Sequence, residues 1–97
     1  MPIRFEWDAD KAASNLAKHR VSFETAMRVW GDPFALSVQD RTVRGEERWQ
    51  MLGRVGEHML LLVAHTIGED EDGTEVIRII SARKAVREER KRYEQNC

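Results

Sequence analysis

The sequence predicts an α+β fold: an N-terminal helical hairpin, a four-stranded antiparallel sheet and a C-terminal helix. Three observations carry this. As far as Trp30 the apolar residues recur at helical spacing, whereas from Pro33 the period falls to two. The alternating segments are joined by turns too short for a parallel crossover, which makes the sheet antiparallel. Beyond residue 82 a basic stretch reads as helix again, and helices, then strands, then a helix is an α+β order.

Taken in order, IRFEW at 3–7 alternates and reads as a short strand or an extended lead-in. Asp8 stands where an N-cap belongs, with Asp10 in the first turn at the positive helix end. Ala9, Ala12, Ala13, Leu16 and Ala17 then predict a helix over 9–19 with a small-residue apolar face. Ser22 caps a second helix, in which Phe23, Ala26, Met27 and Trp30 share a face and Gly31-Asp32-Pro33 gives the stop. Strands follow at 34–40 (FALSVQD), 47–54, 58–66 (HMLLLVAHT) and 75–81 (EVIRIIS). The third is apolar almost throughout, as a central strand covered on both faces is. In the second, Trp49, Met51 and Gly53 share one face and Arg48, Gln50, Leu52 and Arg54 the other. GEDEDG at 68–73 reads as a solvated hairpin tip. A helix over 82–95, capped by Ser81, completes the chain.

The 97 residues correspond to one domain, 1–97. Cys97 is the sole cysteine, so no internal disulfide forms, which fits a reducing cytoplasm. The N-terminus lacks the apolar core of a signal peptide, and the apolar run MLLLVA falls far short of a membrane span. The expectation is a soluble, cytoplasmic protein. The net charge of −1 hides a dipole. Residues 76–97 hold seven Lys/Arg against three Glu, while residues 1–75 hold nine against fourteen Asp/Glu. A basic end of this kind binds a polyanion without a high isoelectric point.

Where that positive charge sits suggests chemistry. Arg78 shares a strand face with Val76 and Ile80 and needs a carboxylate partner such as Glu47 or Glu75, an anion, or solvent. Arg83 and Lys84 in the first turn of a helix oppose its dipole, which an anion pocket at the free N–H groups would explain. Arg83, Arg87 and Arg90 would share one ridge of that helix. Lys18-His19 closes the first helix, where a His proton is favoured. Glu46-Glu47-Arg48 opens a strand with carboxylates beside a cation. His58 and His65 have no ligand-spaced partner, so no metal is expected, and no Gly-rich phosphate loop, Gly-x-Ser-x-Gly, Cys pair or HExxH is present. An enzyme limited to Arg, Lys, His, Glu and Tyr suits cofactor-free RNA cleavage. There the 2′-hydroxyl is the nucleophile, and the protein supplies a base, an acid and cations for the crowded phosphate. The alternative is a non-catalytic nucleic-acid- or partner-binding module acting as a transcriptional co-repressor.

FEWDADKAASNLAKHRVSFETA, ERWQMLGR and IRIISARKAVREERKRY together resemble the BrnT family of bacterial toxins, across nearly the whole chain. The resemblance implies a RelE-like ribonuclease fold and the toxin half of a type II toxin–antitoxin pair, inhibiting translation by cleaving RNA. It also implies a hetero-oligomer with a BrnA-like antitoxin carrying a ribbon-helix-helix part, with operator DNA bound only through that antitoxin. The family pattern falls on Trp7, Asp8, Lys11, Asn15, Lys18, His19, Phe23, Ala26, Glu47, Arg48, Gly53, Arg78, Ile80, Ser81, Ala82, Arg83, Glu89 and Tyr93. The catalytic roles expected from it leave alternatives open. Glu47 or His19 takes the 2′-hydroxyl proton; Arg48, Arg78 and Arg83 stabilise the phosphorane; His19, Lys18 or Tyr93 serves the leaving oxygen. Lys84, Arg87 and Arg90 hold the RNA backbone, and the acidic turn stands away from the cleft.

Overall fold

A computed structural model describes residues 2–97. The elements are β1 (Ile3–Glu6), α1 (Ala9–His19), α2 (Phe23–Met27) with a 3-10 turn (Arg28–Gly31), β2 (Leu36–Val43), β3 (Glu46–Val55), β4 (Met59–Glu69), β5 (Glu75–Lys84) and α3 (Arg87–Asn96). The strands form one five-stranded mixed sheet in the order β1-β5-β4-β3-β2.

This corrects the expected architecture of a leading helical hairpin on four antiparallel strands. IRFE, Ile3–Glu6, is a true strand, and it precedes the first helix. It pairs in parallel with β5, Ile3 opposite Glu75 and Glu6 opposite Arg78. The short-connection argument holds only for strands adjacent in sequence. The link from β1 to β5 contains most of the chain, ample for a parallel return. β4 is central, antiparallel to β3 and β5, and buried along its first half.

Local chemistry sets the helix ends. The Asp8 carboxylate accepts the N–H groups of Asp10 at 2.8 Å and Lys11 at 3.2 Å, which holds its pKa below the ordinary range. α1 ends at Arg20, left-handed at φ 62°, whose N–H reaches Leu16 O. Ser22 caps α2 through the Thr25 N–H.

The C-terminal boundary departs from expectation. Residues 82–84 are strand, with Ala82 opposite Val63 and Lys84 opposite Leu61, so Ser81 caps nothing. The helix begins at Arg87, where Glu88 and Glu89 occupy the first turn and suit the dipole. Glu89 also accepts the Val86 N–H at 2.9 Å. Arg83 and Lys84 therefore never oppose a helix dipole, and Arg83 shares no ridge with Arg87 and Arg90.

α1 and α2 cover one face of the sheet, over a core that includes Val21, Phe23, Ala26, Val29, Leu61, Val63, Ile77 and Ile79. Gly53 lets the 3-10 turn approach, since a Cβ there would lie 2.5 Å from Val29 Cγ1. The edge of β5 beyond the reach of β1 is sealed by a side chain. Asn15 accepts the Ala82 N–H at 3.1 Å and donates to the Ala82 carbonyl at 2.8 Å and the Val21 carbonyl at 3.0 Å. Its amide thus stands in for one residue of a neighbouring strand, and leaving those buried groups unpaired would cost about 1–3 kcal/mol each. On the opposite face, α3 covers only a small cluster of Leu52, Leu60, Leu62 and Tyr93.

Candidate functional site

The sheet face that α1 and α2 do not cover is open except where α3 crosses one end. Strand alternation fixes what it displays. Glu6 of β1 pairs with Arg78 of β5, which pairs with Thr66 of β4, and one further step of register brings Arg48 of β3 into the same row. Arg48 and Arg78 sit two strands apart, about 10 Å at ordinary strand spacing. The next row toward α3 is Gln50, Ala64 and Ser81.

Arg83 joins this face because of a bulge. His65 pairs with Ile79 and Ala64 with Ser81, which leaves Ile80 as an extra residue on β5. Arg83 lies five positions beyond Arg78, an odd offset that would place them on opposite faces of a regular strand. The additional residue restores the parity, so both guanidiniums face the same way.

The three arginines differ in what holds them. Arg78 lies 3.7 Å from Glu6, with both side chains about half exposed. Arg83 makes a two-pronged pair with Glu89, 2.9 Å on each side, and reaches the Lys84 carbonyl at 3.2 Å. That pairing raises the Arg83 pKa and pulls the Glu89 carboxyl below its usual range against the effect of burial. Arg48 is partly buried, and its Nε is fully enclosed with no hydrogen-bond partner among the described residues. A buried donor without a partner is costly unless a ligand satisfies it or its group.

The remaining expected residues fall elsewhere. Lys18 and His19 end α1, on the layer covering the opposite face, Lys18 exposed and His19 half-buried. Glu47 is exposed, and alternation turns it away from Arg48; Glu46 is the carboxylate that shares Arg48's face. Lys84 and Arg90 line a cavity of about 280 Å³ with His58, Met59 and Leu60, beside the exposed Arg87. Tyr93 is buried, and its hydroxyl donates to Asp32 at 2.6 Å. Burial first, and then the Asp32 carboxylate, push the Tyr93 pKa well above its ordinary 10.0, so it is spent on docking α3. Burial raises Asp32, but the Tyr93 hydroxyl and the Arg54 and Phe34 N–H groups more than offset it, leaving the carboxyl below 3.8. His65 is buried in the core against Trp30, and burial holds it below its ordinary 6.5.

Sequence reasoning named Glu46 only as part of Glu46-Glu47-Arg48 and missed Glu6 and Thr66. Alternation from Arg48 was sufficient to find Glu46, two residues upstream. Glu6 had no local signal, because its place depends on β1 pairing with β5. The acidic turn does not stand clear either: Asp70 lies 3.6 Å from Arg4 and lines the same groove as Arg78.

A five-stranded mixed sheet with one face open and lined by arginines and carboxylates defines a small α+β protein. Residues 7–89 match the family described as "Ribonuclease toxin, BrnT, of type II toxin-antitoxin system". The chain belongs to that family, and so to the ribonuclease toxins of type II toxin–antitoxin systems. Its fold is similar to the crystal structure of the Brucella abortus ribonuclease toxin BrnT, with TM-score 0.62 and 20% identity, covering 90% of this chain and 100% of that one. Among curated proteins, none matches the sequence. No helix among the described residues is long and apolar enough to cross a membrane.

Proposed function

We propose that the open face of the sheet cleaves single-stranded RNA without a metal, using the ribose 2′-hydroxyl as nucleophile. The observation that carries this reading is that Arg48 and Arg78 share one row of the open face, with Arg83 brought onto the same face two rows away by the Ile80 bulge. The 2′-oxygen attacks phosphorus, the bond to the 5′-oxygen breaks, and the products are a 2′,3′-cyclic phosphate and a 5′-hydroxyl. Guanidiniums match the geometry of the phosphorane oxygens and stabilise charge that grows in the transition state. Glu6, beside Arg78, takes the 2′-hydroxyl proton, and solvent reaching the open face protonates the leaving oxygen. This reading leaves Lys18, His19 and Glu47 outside the chemistry and gives Tyr93 a positioning role through α3. Lys84, Arg87 and Arg90 contact the RNA backbone beyond the scissile phosphate, in a salt-dependent way.

In the cell this activity would inhibit translation from the cytoplasm. A BrnA-like antitoxin with a ribbon-helix-helix part would neutralise the toxin and carry the complex to operator DNA. The family membership supports an antitoxin partner.

The test is cleavage of a defined RNA by purified protein in the presence of EDTA. Wild type is expected to leave 2′,3′-cyclic phosphate ends. Arg48→Ala and Arg78→Ala should each lose about 100-fold or more in rate, the scale of a lost transition-state donor. His19→Ala should stay within a few-fold. Cleavage that requires added metal, or that survives Arg78→Ala, overturns the assignment.

A further inference from the structure

One end of the open face deepens into a cavity of about 310 Å³ that adjoins the cleavage site and shares Glu6 and Arg78 with it. Its floor is Thr66 and Gly68 of β4. Glu46 of β3 forms one wall, and Arg4, Glu6 and Arg78 form the other, with Asp70 at the mouth. The volume lies at the small end of ligand pockets.

Its charge runs opposite to that of the arginine row. Four carboxylates, Glu6, Glu46, Glu69 and Asp70, face two guanidiniums, Arg4 and Arg78. Arg4 is paired with Asp70 and Arg78 with Glu6, while no described residue forms an ion pair with Glu46. No three of the described carboxylates converge as a metal site would need. Away from Arg78, such a cavity accepts a neutral group rich in N–H donors. Thr66 adds a second sign of a ligand. The residue is 6% exposed, it lines the cavity, and its hydroxyl makes no hydrogen bond among the described residues.

We infer that this cavity is a guanine-binding subsite which selects where the RNA is cut. The inference rests on the ribonuclease reading above. Guanine presents N1–H and its N2 amino group side by side, the pattern that both oxygens of one carboxylate accept. Its O6 and N7 accept from a guanidinium on the opposite wall. Adenine and cytosine each set a ring acceptor next to their amino group, which a carboxylate repels. Uracil has one N–H between two carbonyls.

Gly68 gives a clean way to close the cavity. A Cβ added there meets nothing within 4 Å, so Gly68→Val fills the floor without displacing packed atoms. The experiment maps cut sites on an RNA of defined sequence, with guanosine or inosine at the preferred position. Binding of the four nucleoside 3′-monophosphates is measured in parallel by calorimetry. Wild type is expected to cut next to guanosine, and inosine, which lacks the N2 amino group, should slow cleavage about tenfold. Glu46→Gln should flatten the preference by at least tenfold, and Gly68→Val should abolish it, both with unchanged thermal midpoints. Cleavage without preference for guanosine, or a preference that survives both variants, overturns the subsite. Should wild type cut no RNA yet bind 3′-GMP at least tenfold tighter than the other three, the subsite stands and the cleavage reading falls. Absence of both cleavage and selective binding overturns the subsite as well.

Discussion

On the side covered by α1 and α2, the structure buries Phe23, Val29, Leu61, Val63, Ile77 and Ile79 to 1% exposure or less. On the other side α3 contributes one buried side chain, Tyr93, and is otherwise held by polar contacts. Those contacts are Tyr93 to Asp32, Arg83 to Glu89, and Asn96 to the Phe34 carbonyl. The difference separates two demands on one small sheet. Hydrophobic burial supplies most of the stability, and a single well-packed face provides it. The second face is thereby released to display charged groups in rows, which a packed interior would not tolerate without pairing.

The sharpest way to break this comparison is to empty the packed side. Phe23→Ala should cost about 3–5 kcal/mol of unfolding free energy, read by urea titration. That loss is enough to unfold a marginal domain. A smaller effect is expected on the open side. Tyr93→Phe should cost about 1–2 kcal/mol, and amide exchange should accelerate through α3 while β4 stays protected. Equal acceleration in β4 would show that α3 belongs to the main cooperative unit.

The smallest effect separates the faces by pH. His65 on the packed side has a folded pKa below its ordinary 6.5 because it is buried. The unfolded chain therefore binds the extra proton first, and stability declines as pH falls below about 6.5. Glu89 and Asp32 on the α3 side are lowered carboxyls. Their contribution is complete above the ordinary carboxylate values and is lost only as pH falls through their lowered folded values. A stability profile should thus show a first decline near neutrality and a second below about pH 4, the second coinciding with release of α3 by amide exchange. A single transition in which α3 loosens first would reverse the ordering.

What the sequence disclosed was local. The bounds of α1, the Asp8 and Ser22 caps, and the two faces of β3 follow from side chains acting within a few residues, and all are present. The basic segment is genuinely ambiguous between residues 82 and 86. Ala82, Ala85 and Val86 suit either period, and only the partner strand β4 decides in favour of strand as far as Lys84. The site was half legible. Arg48, Arg78 and Arg83 were singled out, but the bulge that aligns two of them leaves no mark in the one-dimensional pattern. Glu47 comes from the family resemblance, and its adjacency to Arg48 in sequence does not put it on the same sheet face, where neighbours lie two residues apart. β1 was undervalued because its partner lies at the far end of the chain, and with it went Glu6.

That distant pairing has a consequence for biosynthesis. Glu6 and Arg78 face one another only after β5 has left the ribosome, since Ile3 to Glu6 align with Glu75 to Arg78. A growing chain therefore carries these two groups apart, and the Glu6–Arg78 pair forms only when the two distant strands have met.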